Sequence, residues 1–191
     1  MAKGLLIVIS GPSGVGKGTV INKFINDEDL KLSLSVSMTT RARREGEKEG
    51  VNYYYVTEEE FLRARENGEL LESAEFVGNY YGTPMFEVNR IRSEGRNVLL
   101  EIDVQGCLQV IEKAPDALTI FIVPPNMEEL EKRIRGRGTE AEEVVQERLA
   151  KASKEMELMH NYKYVICNDD ADLAADIIRV IIRRHMEKNN I

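Results

Sequence analysis

A chain of 191 residues, 42% hydrophobic and 31% charged, has the makeup of an ordinary globular protein and suffices for one domain or a core with small insertions. Its net charge of -7 argues against non-specific binding to nucleic acid, so any anionic ligand must be held by local clusters of positive charge. No apolar run approaches the ~18 residues of a membrane span, and Cys107 and Cys167, both in apolar contexts, suggest buried thiols in a reducing compartment and not a disulfide framework.

The N-terminal stretch "MAKGLLIVISG" predicts a strand over Leu5 to Ile9, buried on both faces as in a parallel sheet. Glycine and proline end the run at once, which favours a strand over a signal peptide. Gly11 to Lys17 then reads G-P-S-G-V-G-K, the first seven positions of the phosphate loop G-x-x-x-x-G-K-[ST]. Glycines let backbone N–H groups converge on phosphate oxygens. The helix expected over Lys17 to Asn26 aims its positive end at the same anion, and Lys17 supplies a compact charge. Gly18 stands where the pattern has Ser or Thr, and Thr19 follows. A helix turns ~100° per residue, so the Thr19 hydroxyl cannot simply take over. Phosphates and water are then expected to fill much of a magnesium shell.

Leu32 to Met38 alternates as a strand would. Arg41 to Pro84 holds five of the seven tyrosines and reads as a small antiparallel insertion. Within it, Thr57 and Glu60 form a capping box for a helix that Asn67-Gly68 ends. Arg41 and Arg44, with the hydroxyls of Tyr53 and Tyr81, make either a clamp for a second phosphate or a solvated charged turn. Glu72, Asp103, Ser37 and Thr83 are candidates for a polar pocket. Spacing alone favours Asp103, at the end of "VLLEID", as a metal ligand, and each carboxylate taken singly reads more readily as a surface charge.

Pro84 suits the first turn of a helix running to about Glu94. Strands are expected at Val98 to Ile102, Leu118 to Val123 and Tyr164 to Cys167. Asn126 caps "MEELEKRI", and Arg133 to Glu143 reads as a charged, mobile flap. Thr139 and Glu142 form a second capping box before a helix to about Met159, and an amphipathic helix follows Asp170. His160 and His185 lie in late helical segments and read as structural or exposed. There is no internal repeat or low-complexity tract. Alternating strands and helices define an α/β fold of the three-layer P-loop kind, with a central parallel sheet, an inserted antiparallel unit and a lid.

In order, "SGPSGVGKGT", "SVSMTTRARREGE", "NYYYV", "LLESAEFVGNYYGTP", "LLEIDVQG", "RIRGRGTE" and "VICNDD" resemble the guanylate kinase family over nearly the whole chain. The resemblance implies Mg²⁺-dependent transfer of the γ-phosphoryl of ATP to GMP, and to dGMP, in the cytoplasm for purine nucleotide synthesis and GMP recycling. It implies a core of residues 1–36, 85–125 and 148–191, a GMP-binding insertion over 37–84 and a lid over 126–147. Gly11, Pro12, Ser13, Gly14, Val15, Gly16, Lys17, Gly18 and Thr19 would hold ATP phosphates, with Asn168 near the adenine. Arg41, Arg44, Tyr53 and Tyr81 would contact the GMP phosphate, and Ser37, Glu72, Thr83 and Asp103 the guanine. Lys17, Arg133, Arg137 and Arg148 would face the transferring phosphoryl. Asp103 thereby passes from metal to base, and Glu101 remains as an outer-shell metal partner, with no certain protein ligand for Mg²⁺. Arg43 stands where the family often has proline, and Gly18 resembles the wider nucleoside monophosphate kinases. Partners would be ATP and GMP, with no nucleic acid and no membrane, acting as a monomer or small homo-oligomer.

Two rivals remain. A kinase for AMP or a pyrimidine would pair Glu72 poorly, because guanine offers N1–H and N2–H₂ and adenine has no N1–H. A non-catalytic, guanylate-kinase-like interaction domain would have a damaged phosphate loop, whereas Lys17 is present here. The absence of a plausible Ser-His or Cys-His pair suits phosphoryl transfer, which relies on positioning and charge neutralisation.

Overall fold

The computed structural model describes residues 3–136 and 141–191. Among these residues nine strands run in chain order: β1 (Leu6–Ser10), β2 (Leu32–Leu34), β3 (Ser37–Thr39), β4 (Tyr53–Tyr55), β5 (Leu70–Phe76), β6 (Asn79–Pro84), β7 (Asn97–Glu101), β8 (Leu118–Val123) and β9 (Tyr164–Cys167). The α-helices are α1 (Lys17–Asn22), α2 (Glu58–Glu66), α3 (Met85–Ser93), α4 (Val104–Lys113), α5 (Met127–Arg135), α6 (Glu142–Met156) and α7 (Ala171–Lys188).

The core sheet has the order β2-β7-β1-β8-β9 and is parallel throughout. All five residues of β1 are buried, as its unbroken apolar run requires of a strand covered on both faces. Side chains alternate across it. Ile7 and Ile9 join Val20 and Ile21 of α1 and Ala174, Ile178 and Ile182 of α7 in one apolar cluster. Leu6 and Val8 join Val88 and Ile91 of α3 and Val104, Cys107 and Val110 of α4 in the other. The parallel register sets Ile9 opposite Glu101, so the end of β1 and the end of β7 lie level. In such sheets ligands bind beyond the carboxyl ends of the strands.

The inserted unit is a four-strand sheet of order β4-β3-β6-β5 with α2 packed on it through Phe61, Ala64 and Leu70. It is mixed and not antiparallel throughout, because β3 pairs with β4 in parallel. The long connection between β3 and β4 allows this, since the chain has room to return before pairing. The single strand expected over Leu32 to Met38 is two strands in two sheets. Ser35 still donates its N–H to Leu99 O at 3.1 Å beside β7, whereas Met38 already pairs with Gly82. Gln109 of α4 bonds the Ser73 backbone in both directions, at 3.1 and 2.9 Å, and fixes β5 to the core. The β5–β6 hairpin turns at Val77 (φ 50°) and Gly78 (φ 69°), and Val77 is largely exposed.

Local signals hold at several ends. Thr57 and Glu60 form a reciprocal capping box, Asn126 caps α5 through Glu129 N, and Asp170 caps α7. Others differ. Helix α1 ends at Asn22, and the chain goes on in turns to Phe24 and Ile25. Pro84 closes β6 and stands at the N-cap of α3. Helix α6 stops at Met156, before a short 3₁₀ turn at Met159–Asn161. It begins at Glu142 after Ala141, with no side-chain cap, and Glu142 instead pairs with Arg135; Thr139 lies outside the described residues. Cys107 is buried as expected, but Cys167 is exposed, because β9 is an edge strand whose outward positions have no covering layer. No helix among the described residues is long and apolar enough to cross a membrane.

Candidate active site

The glycine loop turns tightly between β1 and α1. Gly11 and Gly16 have φ of 146° and 94°. A Cβ at Gly11 would stand 2.3 Å from Ile122 O, and one at Gly16 would stand 2.7 Å from Asn168 Nδ2. Conformation and space therefore both demand glycine at these two positions. Asn168, buried at the end of β9, donates its amide to Val15 O at 2.8 Å and its backbone N–H to Val123 O at 2.8 Å. It braces the loop against the sheet, a role its place in "VICNDD" does not reveal.

Lys17 Nζ donates to Gly11 O at 2.6 Å and to Pro12 O at 3.3 Å, folding back over the loop. Burial lowers its pKa, and the fields of Glu101, Glu155 and Asp103 oppose that shift. Ser13, at the loop's exposed tip, accepts a bond from Arg148 Nη2 at 2.8 Å. Arg133 donates to Asn168 O at 3.0 Å and to Glu129 at 3.2 Å, so it stands at the other side of the loop. Arg137 lies outside the described residues. A cavity of about 470 Å³ is lined by Gly14, Gly16, Thr19, Arg133, Gly136, Asn168 and Asp169.

A Cβ on Gly18 would lie 3.7 Å from Glu101 Oε1. The place a Ser or Thr hydroxyl would take thus already faces a carboxylate, while Thr19 lines the cavity beside Gly14 and Arg133. No cluster of three or more metal-ligating side chains occurs among the described residues. A single carboxylate beside a phosphate loop fits magnesium, which keeps most of its water and is held chiefly by phosphate oxygens.

A second cavity, of about 310 Å³, is lined by Ser37, Tyr53, Glu72, Tyr81, Glu101, Asp103 and Lys151. Four of the expected base- and phosphate-contacting groups from the insertion therefore meet here with Asp103 of the core. Thr83 sits just behind them and donates to Glu72 Oε1 at 2.6 Å. Burial raises the Glu72 pKa above the ordinary glutamate range. Asp103 N-caps α4 through Gly106 N at 2.7 Å while one edge faces the cavity.

Arg41 lies 5.4 Å from the Tyr53 ring centre, and the rings of Tyr53 and Tyr81 are 6.0 Å apart. Its guanidinium is gripped by Glu47, at 2.8 and 3.1 Å. Glu47 also accepts from Arg44 N at 2.8 Å and Tyr55 Oη at 2.7 Å, and the Arg41 bond chiefly holds its pKa down to about 2. Arg44 is exposed. The charge alternation of "RREGE" is the only sequence signal for Glu47 and does not single it out. His160 is exposed, and His185 shares a 3.0 Å contact with Tyr164 Oη, away from both cavities.

A three-layer α/β fold with a phosphate loop, and a carboxylate-lined pocket roofed by an inserted sheet beside it, defines a P-loop protein of the nucleotide-kinase class. The guanylate kinase family model matches residues 3–185. The chain is 52% identical over 180 residues to a guanylate kinase of Streptococcus thermophilus, covering 94% of this chain and 86% of that protein. It is 53% identical to the guanylate kinase of Lactococcus lactis, covering 94% and 87%. The crystal structure of guanylate kinase from Anaplasma phagocytophilum superposes with a TM-score of 0.73 at 40% identity, over 96% of this chain and 87% of that one. The chain belongs to the guanylate kinase family.

Proposed function

We propose that the protein transfers the γ-phosphoryl of ATP to GMP, and to dGMP, giving ADP and GDP with Mg²⁺ as cofactor. The observation that carries this reading is the adjacency of the two cavities. The carboxylates that suit guanine, Glu72 and Asp103, share a wall with Glu101, and Glu101 faces the start of α1 at Gly18.

In this reading the loop from Gly11 to Thr19 cradles the donor phosphates, and Lys17 turns its ammonium from the loop carbonyls to the β- and γ-phosphates. Arg41, Arg44, Tyr53 and Tyr81 hold the GMP phosphate. Ser37, Glu72, Thr83 and Asp103 read the base. Arg133, Arg137 and Arg148 neutralise the charge that moves between the nucleotides. Glu101, which faces Gly18 at the start of α1, would accept hydrogen bonds from water on a bound Mg²⁺, and that ion would supply screening of phosphate charge. Residues 37–84 serve as the GMP-binding insertion and 126–147 as the lid, over a core of 1–36, 85–125 and 148–191. Their closure would exclude water that otherwise hydrolyses ATP. A role in purine nucleotide synthesis, a cytoplasmic setting and action as a monomer or small homo-oligomer belong to the same reading.

A coupled assay of ADP release, with ATP and a panel of GMP, dGMP, AMP, CMP and UMP, tests it. Turnover with GMP and dGMP well above the others is expected. Preference for AMP or a pyrimidine, or no turnover with any, would overturn it.

A further inference from the structure

The cavity beside the phosphate loop poses an electrostatic problem. Glu72, Glu101 and Asp103 line it. A phosphate brought among these carboxylates toward a second phosphate on the loop meets like charge on every side. Lys151 also lines this cavity. It lies on α6 one turn beyond Arg148, whose guanidinium already reaches Ser13 on the loop. Residues three and four apart share a helix face, so Arg148, Lys151 and Glu155 form a ladder running from the loop to the carboxylate-lined pocket. Its lower end is an ion pair. Glu155 is almost sealed from solvent, and its Oε1 stands 3.6 Å from Lys151 Nζ. The two ammonium groups, Lys17 and Lys151, are near enough to influence each other.

Resting on the function proposed above, we infer that Lys151 contacts the phosphoryl group in transfer, together with Lys17, and that Glu155 is the positioning residue that aims it. The ammonium offsets the repulsion that the pocket's carboxylates impose, at the point where the two nucleotides' phosphates meet. Lys151 is well exposed at 62% of its side chain, so it is free to swing from Glu155 to an arriving phosphate. Glu155, buried beneath it, draws it back.

The test is steady-state kinetics of Lys151→Gln, Lys151→Arg and Glu155→Gln beside the parent, varying ATP and GMP separately, with melting temperatures of each. Lys151→Gln is expected to lower kcat by ~10-fold to ~10²-fold, the scale of losing one charge aimed at the transition state, while both KM values stay within about twofold on that same scale. Lys151→Arg should recover most of the loss, and Glu155→Gln should lower kcat less than Lys151→Gln does. Melting temperature should barely move in Lys151→Arg, which keeps the pair with Glu155, and fall modestly in Lys151→Gln, whose amide still donates to that carboxylate. A parent that does not phosphorylate GMP defeats the proposed function itself. With an active parent, unchanged kcat in Lys151→Gln, equal losses in Lys151→Gln and Lys151→Arg, or an effect confined to the KM for GMP would each overturn the role of Lys151.

Discussion

Thr83 Oγ1 donates to Glu72 Oε1 at 2.6 Å, and both residues are buried. One carboxylate oxygen is thereby held before any ligand arrives, and Oε2 is left to turn about it. A carboxylate only accepts, and guanine presents two adjacent donors. Glu72→Gln replaces one acceptor with a donor that opposes guanine N1–H or N2–H₂. It should cut kcat/KM for GMP by at least ~10²-fold, as expected for a lost charge-assisted pair, and leave the KM for ATP nearly unchanged. Use of GMP within about threefold of the parent would show that Glu72 does not read the base.

Burial raises the pKa of Glu72, which sets the direction of two pH effects. Base reading needs the ionised form, so kcat/KM for GMP should fall on the acid side sooner than an exposed glutamate would cause, with no matching change in the KM for ATP. Stability moves the opposite way. Between the unfolded and the raised folded pKa the native state binds more protons, so stability falls as pH rises through that window. The melting-temperature gap between Glu72→Gln and the parent should widen in favour of the variant as pH increases. A gap independent of pH would mean that Glu72 is not shifted.

Gly106 lies under the same carboxylate. A Cβ there would stand 2.8 Å from Glu72 Oε2 and 3.3 Å from Asp103 Oδ1. The carboxylate is the movable partner, and alanine in a helix gains roughly 0.5–1 kcal/mol over glycine, so Gly106→Ala should fold normally. Displacing a substrate-contacting group by about an ångström can lower turnover ~10²-fold. A fall of at least about tenfold in kcat/KM for GMP is expected on that scale, with a melting temperature near the parent's. Unaltered GMP kinetics would show that the pocket does not depend on this contact.

Lys17 is held by the carbonyls of Gly11 and Pro12, within reach of any phosphate that seats on the loop. Lys17→Ala should lower kcat by ~10²–10³, the usual effect of removing one aligned donor, and alter GMP binding far less. Near-normal turnover in a steady-state assay would remove Lys17 from the mechanism.

Val77 adopts a left-handed conformation, with φ of 50°, at an exposed hairpin tip next to Gly78. That conformation costs a β-branched residue roughly 1–2 kcal/mol. Asn-Gly is a favoured pair for a turn with both central residues at positive φ. Val77→Asn should therefore raise stability by about 1 kcal/mol, or about 2–4 °C in Tm for a chain of this size. A lower Tm would mean that the Val77 side chain makes contacts that outweigh its strain.

The glycine loop was legible because its signal is local: a buried strand, a forced series of positive-φ glycines and a lysine within one short stretch. The caps at Thr57 and Asn126 are legible for the same reason. Alternation over Leu32 to Met38 reports two faces but not which sheet each end joins, so it predicts one strand where the fold has two. Cys167 looked buried because its neighbours are apolar, and only the strand order reveals that β9 has one neighbour. Glu47, Lys151 and Glu155 carried no motif. Their significance lies in what faces them across the fold, a distance no spacing rule spans.

The brace from Asn168 to the glycine loop has a consequence for how the molecule comes apart. β9 pairs with β8 alone, and edge strands are commonly among the first segments to open in native-state hydrogen exchange. Fraying of β9 would release the Val15 carbonyl while the amides of β1 and β7 at the centre of the sheet stayed protected. Nucleotide binding would then be lost by a sub-global opening well short of complete unfolding. In the reverse sense, a ligand that holds the loop would slow exchange along the rim of the sheet, several residues from anything it touches.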